Sequence, residues 1–333
     1  MTLKTRIFHD PEFQNHRHAP GHPESPERLQ AVVSALLQRG YEREMTMSPP
    51  ATFEELCAAH DSSYVQSIAK RTLQEADEET PVYANTFRIA SLAAGAAISA
   101  LNTSMDEGCG SLALVRPPGH HASSGKGGGF CYFNNVAVAA RHQPTRRFAI
   151  VDIDVHHGNG TSEIFYDDPS VLYVSTHQDG IYPGTGHLNE IGSGKGEWHN
   201  LNIPLPAGSG DATFDMAFEE VIMPVLSSYS PDGILVSLGA DAHYMDPLAS
   251  LTLSTSGYVR CIDRLMALER PIAVVLEGGY NPGALADVIA GTLHALDGKE
   301  YCATFAEVSD LHCAGKDAVK EASFFFSEYW GTV

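Results

Sequence analysis

Three features of this 333-residue chain predict an α/β fold with a central parallel sheet. Short β-rich apolar runs recur, most of them breaking abruptly into acidic, imidazole or phenol side chains. Segments with helical apolar spacing lie between those runs, the alternation expected of a parallel sheet covered by helices on both faces. No repeat, linker or change in composition breaks the pattern, so a single domain over residues 1–333 is expected.

Taken in order, Arg6 to Asp10 reads as a first strand. Pro11 to Pro26 is a loop dense in His and Pro; His16, His18 and His22 suggest a second metal site, but their irregular spacing favours a rim loop. Pro26 to Arg39 carries Leu29, Val32, Val33, Leu36 and Leu37 at helical spacing, with Gly40 as the stop. Thr52 and Glu55 make a capping box for a helix over Phe53 to Ala59. Ser62 to Leu73 is amphipathic, and the acidic stretch Glu75 to Glu79 reads as a solvated loop able to draw positive charge towards an entrance. A helix over Thr86 to Leu101 precedes a strand over Ser111 to Val115, which breaks into Arg116-Pro-Pro-Gly-His-His-Ala122. A Gly-rich link, Ser123 to Gly129, then leads to a helix over Phe130 to Arg141.

The run Phe148 to Val151 passes into Asp152-Ile-Asp-Val-His-His-Gly-Asn-Gly160. In a strand alternate side chains share a face, which would align Asp152, Asp154 and His156. Val171 to Ser175 leads to Thr176-His177, Gly233 to Leu238 to Gly239-Ala-Asp241, and Ile272 to Leu276 to Glu277-Gly-Gly-Tyr280. Helices are expected over Thr213 to Tyr229 and Ser256 to Leu268. Ligands of parallel sheets bind beyond the carboxyl ends of the strands, where these unusual residues stand.

Composition narrows the function. A net charge of -20, from 21 basic and 41 acidic side chains, disfavours nucleic acid as a partner and suits a cationic or basic substrate. Six scattered cysteines without a C-x-x-C pair, and no signal peptide, point to a reducing cytoplasm. No apolar run approaches the roughly 20 residues that span a bilayer; Ile89 to Leu101 comes nearest and reads as a packed helix.

Asp154, His156 and Asp241 would offer one nitrogen and two carboxylate ligands, a borderline-hard set suited to Zn²⁺ or alternatively Fe²⁺. A histidine of the His120-His121 pair is then the natural base for a water molecule. Tyr280, after two glycines, could donate to an oxygen that becomes negative during reaction. The reaction class that follows is metal-assisted hydrolysis of an amide.

Arg116-Pro-Pro-Gly-His-His, Gly129-Phe-Cys-Tyr-Phe-Asn-Asn135, Asp152-Ile-Asp-Val-His-His-Gly-Asn-Gly, Pro183-Gly-Thr-Gly, Gly239-Ala-Asp and Gly278-Gly-Tyr together resemble the zinc-dependent histone deacetylase family, which includes bacterial acetylpolyamine amidohydrolases and acetoin-utilisation proteins. The resemblance runs from His9 to about Leu296, and Asn159, where many class I enzymes carry Asp, makes it class II-like. It implies the arginase/deacetylase fold, one α/β domain with about eight parallel strands. It also implies zinc on Asp154, His156 and Asp241, and His121 as the principal base, oriented by Asn159. His120 would be paired with Asp152, and Tyr280 would polarise the acetyl carbonyl.

By the same resemblance Phe130 and Tyr182 wall the acyl-lysine tunnel, near Gly129 and Leu248, with Tyr182 where many relatives have Phe. Structural K⁺ or Na⁺ would bind at Asp152, Asp154, His156, Ser175 and Thr176, and again at Phe165, Asp168, Val171 and His199. Asp246-Pro247 is followed by Leu248 rather than the Glu of the polyamine-selective animal member, and the dimerising insertion of bacterial acetylpolyamine enzymes is missing; both favour acetyl-lysine in peptides or proteins over acetylated polyamines. A dimanganese ureohydrolase of arginase type shares Asp-x-His, but its second ion needs bridging ligands that Gly119-His-His-Ala122 fits poorly. A non-enzymatic acetyl-binding module would lack part of this ligand and base set, and nothing essential is missing.

Overall fold

The computed structural model describes residues 5–306 and 313–331. Eight strands, β1 (Arg6–Phe8), β2 (Met45–Thr46), β3 (Ser111–Ala113), β4 (Phe148–Asp152), β5 (Val171–Gln178), β6 (Asn200–Leu205), β7 (Gly233–Leu238) and β8 (Ile272–Leu276), form one sheet. Their order is β2-β1-β3-β8-β7-β4-β5-β6, and every pair is parallel. Strands β3, β4, β5, β7 and β8 are buried throughout, which is why Phe148 to Val151, Val171 to Val174, Ile234 to Val236 and Ile272 to Leu276 read as apolar runs without polar alternation.

The helices are α1 (Pro26–Gln38), α2 (Phe53–Cys57), α3 (Ser62–Ala69), α4 (Thr86–Glu107), α5 (Asn135–His142), α6 (Asn159–Ile164), α7 (Asp211–Ala217), α8 (Met223–Tyr229), α9 (Thr255–Met266), α10 (Pro282–Leu296) and α11 (Lys316–Trp330). The apolar Ala-rich segment centred on Ile89 to Leu101 lies in α4 and is buried on most sides, as a core helix rather than a span. Among the described residues no helix is long and apolar enough to cross a membrane.

Several boundaries move for local reasons. The helix expected from Phe130 starts at Asn135, because Asn134 caps it by accepting the Ala137 amide. The segment before it holds Phe130 at φ +69, a left-handed conformation closed to a helix. The helix expected over Thr213 to Tyr229 is α7 and α8 joined through a π turn at Phe218–Ile222, just before Pro224 withholds a backbone donor. The run from Ser62 stops at Ala69, with Arg71 already at φ +55. β2, β6, α6, α10 and α11 lie outside the strands and helices that the sequence predicts.

Chain direction within the sheet places the site. From β4 the chain steps outward to β5 and β6, whereas from β7 it steps the opposite way to β8. The boundary between β4 and β7 is therefore the switch point, and a crevice opens beyond the carboxyl ends there. Asp154 and His156 follow β4, Asp241 follows β7, Tyr280 follows β8, and the paired histidines follow β3.

Candidate active site

β4 ends at Asp152, so Asp154 and His156 lie on the loop beyond it and their common direction does not come from strand alternation. The loop is set by its own hydrogen bonds. Asp152 Oδ1 accepts the Asp154 amide (3.2 Å), and Asp154 Oδ1 accepts both the amide and the Nδ1 of His156 (2.9 and 3.1 Å). Asp241 Oδ1 accepts the Val155 amide at 3.0 Å, and Asp154 Oδ2 accepts that of Gly278 at 2.9 Å. Side chains at Gly239 and Gly278 would collide with these carboxylates, since a Cβ would lie 2.0 Å and 2.2 Å from their oxygens.

The ligand atoms of Asp154, His156 and Asp241 fall within 4.8 Å of one another. Among the described residues Asp241 Oδ2 is buried with no hydrogen-bond donor assigned to it, and its nearest cationic neighbour is His156 Nδ1 at 3.2 Å, which also lies 3.1 Å from Asp154 Oδ1. Burial opposes charge on His156, yet the two carboxylates push it up to about 10. An excess of negative charge converges here, and a proton or a divalent cation would answer it. An orphaned carboxylate oxygen beside a second carboxylate and an imidazole fits one zinc ion.

The tandem histidines are driven in opposite directions. Burial opposes charge on His120, but Asp154 and Asp152 together push it up to about 10; its Nδ1 is 3.1 Å from Asp152 Oδ2. Burial, reinforced by His120 and His156, holds His121 well below its ordinary range. His121 Nδ1 pairs with Asn159 Oδ1 at 2.8 Å; the amide oxygen can only accept, so the ring proton sits on Nδ1 and Nε2 keeps its lone pair.

Residues whose roles went unread complete this frame. Glu277 accepts the amides of Gly119 (2.6 Å) and His120 (3.2 Å), fixing the peptide that carries both imidazoles, and burial pushes its own carboxyl up to about 7. Tyr173 donates its hydroxyl to Asp152 Oδ2 at 3.0 Å and accepts the Gly158 amide at 3.1 Å. Its position on the same face of β5 as Ser175 was the available signal. Glu277 could have been suspected as an acidic residue at the end of a wholly buried strand.

A tunnel of about 180 Å³ descends to this floor, lined by Glu79, His121, Gly129, Phe130, His156, Tyr182, Leu248 and Tyr280. Phe130 is buried, Tyr182 and Leu248 are half exposed at the mouth, and the Tyr280 phenol is held far above its ordinary value by burial. In the acidic stretch Glu75, Glu78 and Glu79 are exposed, as expected of a solvated loop, but Asp77 turns inward. Asp77 Oδ2 accepts the Gly129 amide (2.8 Å) and Thr80 Oγ1 accepts that of Phe130 (2.9 Å), so the loop buttresses the tunnel wall.

The His-rich loop exposes Arg17, Ala19, Pro20 and Gly21, as a rim would, while its imidazoles turn inward behind that wall. His22 meets Phe130 edge-on at 4.8 Å and stacks on His18 at 4.1 Å, while His16 bonds Thr86 Oγ1 at 3.0 Å. His16, His18 and Glu24 also bring ligand atoms within 4.8 Å of one another. There, however, the carboxylate is already met by Arg116 (2.8 and 2.7 Å) and Arg28 (3.1 Å), all three side chains being buried.

The residues assigned to monovalent cations fall into two groups. Asp152 and Ser175 are register partners on β4 and β5, with Asp154, His156 and Thr176 adjoining, and Thr176 Oγ1 is buried with no hydrogen-bond partner among the described residues. Phe165, Asp168 and Val171 lie on the turn from α6 into β5, and the His199 carbonyl faces it by accepting the Tyr173 amide (2.9 Å). Asp168 is already paired with Arg141.

Comparison with known proteins shows the family and the fold. The sequence profile described as "Histone deacetylase domain" matches residues 22–296. The chain is 39% identical over 313 residues to a probable deacetylase of Archaeoglobus fulgidus, covering 89% of this chain and 87% of that one. It is 42% identical over 316 residues to histone deacetylase 14, chloroplastic, of Arabidopsis thaliana, covering 85% and 74%. The crystal structure of the HDA15 HD domain superposes with a TM-score of 0.90 at 33% identity, covering 99% of this chain and 96% of that one.

Proposed function

The chain belongs to the histone deacetylase family, and from that premise we propose that it is a zinc-dependent amidohydrolase of N-acetylated amines, foremost acetyl-lysine in peptides and proteins. The observation that carries this reading is the orphaned Asp241 oxygen, within ligand distance of Asp154 and His156, at the floor of a tunnel that also exposes His121 and Tyr280. Zinc held by Asp154, His156 and Asp241 would supply Lewis acidity towards the acetyl carbonyl and the attacking water.

The residues then divide the work. His121 takes the water's proton on Nε2 and returns it to the leaving amine, with Asn159 fixing the tautomer. His120, protonated and paired with Asp152, places positive charge beside developing negative charge. The Tyr280 phenol, kept protonated by burial, donates to the acetyl oxygen. Phe130, Tyr182, Gly129 and Leu248 enclose the aliphatic part of the substrate and exclude water. K⁺ or Na⁺ at the Asp152, Asp154, His156, Ser175 and Thr176 group would stiffen the loop that bears two zinc ligands; Phe165, Asp168, Val171 and His199 would form the second such site.

Glu79 on the tunnel lining and the net charge of -20 favour a second reading, acetylated polyamines, which carry a second cationic nitrogen. Steady-state kinetics on an acetyl-lysine peptide, acetylputrescine and acetylspermidine separate the two. A higher kcat/KM for the peptide is expected, and a large preference for the polyamines would reverse the assignment.

A further inference from the structure

We propose that Asp246 is a positioning residue whose buried carboxylate sets the Tyr280 backbone and the tunnel wall at Leu248 in one fixed relation. The proposal rests on the role given above to the Tyr280 phenol. Asp246 Oδ2 accepts the amides of Tyr280 (2.6 Å) and Asn281 (3.1 Å), and its Oδ1 accepts the amide of Leu248 (3.0 Å). All three donors are backbone groups, so the carboxylate fixes main chain on both sides of the tunnel.

Neighbouring contacts make this grip decisive for the phenol. Just before Tyr280, Gly279 sits at φ +113, and Gly278 and Gly279 have no side chains with which to pack the strand end. Arg28 holds the carbonyls of Glu277 and Gly279 at 2.6 Å each, and its guanidinium lies 5.0 Å from the centre of the Tyr280 ring. Asp246 holds the amide of the tyrosine itself. Asn281 repeats the tie in the other direction, donating to the Met245 carbonyl (3.0 Å) while its Oδ1 caps α10 through Gly283 and Ala284. The Tyr280 amide is therefore held by Asp246 while Arg28 lies against its ring, and Leu248 is tied to the same carboxylate.

A carboxylate is needed because it accepts on both oxygens, whereas an amide offers one acceptor and turns its NH₂ towards a backbone donor. Asp246→Asn must abandon either Leu248 or the Tyr280–Asn281 pair, at almost unchanged volume. Displacing a reacting group by about 1 Å can cost on the order of 10²-fold in rate.

The test is a double-mutant cycle in the zinc-loaded full chain, with an acetyl-lysine peptide as substrate and metal content and thermal unfolding measured alongside. Tyr280→Phe alone is expected to lower turnover roughly 10²–10³-fold, the scale for one oxyanion donor. Asp246→Asn alone is expected to lower kcat roughly 10- to 10²-fold, with a smaller change in KM and wild-type metal content. In the Tyr280→Phe background it should cost no more than about twofold, because the group it positions is gone. Multiplicative losses, an unchanged kcat, or loss of metal would overturn the proposal.

Hydrogen exchange gives an arm that does not depend on turnover. Peptides covering 246–249 and 278–283 should exchange faster in Asp246→Asn, and unchanged protection would overturn the proposal even in a protein without deacetylase activity. An inactive wild type with the expected exchange would instead defeat the proposed function alone. If Asp246→Asn does not fold, Asp246→Glu, which keeps the charge but shifts its oxygens by one methylene, takes its place. Failure of both to fold would make Asp246 a stability residue and defeat the positioning role.

Discussion

Among the described residues two clusters of His and carboxylate side chains lie close enough to hold an ion, and they differ in charge. Asp154, His156 and Asp241 stand beyond β4 and β7, and His16, His18 and Glu24 stand behind the tunnel wall; each brings three potential ligand atoms within 4.8 Å. In the first, two carboxylates accept backbone amides and one imidazole, and Asp241 Oδ2 goes unmet. In the second, a single carboxylate is clasped by Arg28 and Arg116, so the cluster already carries more positive than negative charge. Ligand type and spacing alone do not mark a metal centre. Unbalanced charge does, because a divalent cation must be attracted more strongly than the fixed guanidiniums repel it.

The sharpest way to break this contrast is Arg116→Met. It strips one guanidinium from Glu24 and leaves a buried charge poorly paired, so unfolding free energy should fall by about 3–5 kcal/mol. Chemical denaturation measures it, and a loss under about 1 kcal/mol would mean that Glu24 is not balanced as described.

Acid titration sharpens the contrast further. Burial pushes His16 down to about 3, against the ordinary 6.5 it regains when unfolded. Between those values the unfolded chain binds the extra proton, so the stability His16 contributes is complete above pH 6.5 and is lost as pH falls towards 3. His120, raised to about 10, has the opposite sign: its contribution is complete below pH 6.5 and is lost as pH rises through 10. His16→Gln should therefore flatten the fall in thermal midpoint between pH 6.5 and 4. A slope equal to the wild type's would contradict the assigned burial.

The smallest expected effect is the most telling for the second cluster. His18→Ala should leave the metal content of the purified protein unchanged. A loss of one equivalent would turn the cluster into a metal site despite its arginines.

The difference between the clusters also shows what could be read from the chain. Parallel strands deliver their carboxyl ends to one edge, so four apolar runs ending in His120-His121, Asp154/His156, Asp241 and Tyr280 announced both the sheet and its crevice. The partners of those residues are set by contacts remote in sequence. Glu277 reaches Gly119 across 158 positions, and Arg116 reaches Glu24 across 92, and no local period records either. Asp154 and His156 were aligned on strand alternation, but β4 stops at Asp152 and side-chain hydrogen bonds arrange the loop instead. Nothing local in the acidic run at Glu75 to Glu79 shows that Asp77 turns inward, because its partner, the Gly129 amide, lies 52 residues ahead. β6 alternates Leu201, Ile203 and Leu205, but Pro204 within the run argues against a strand.

Elemental analysis coupled to turnover of an acetyl-lysine peptide tests the central claim most directly. One zinc per chain is predicted, with turnover abolished by chelation and restored by a single equivalent of zinc. Full turnover in metal-free protein, or activity that requires two ions per chain, would contradict the account.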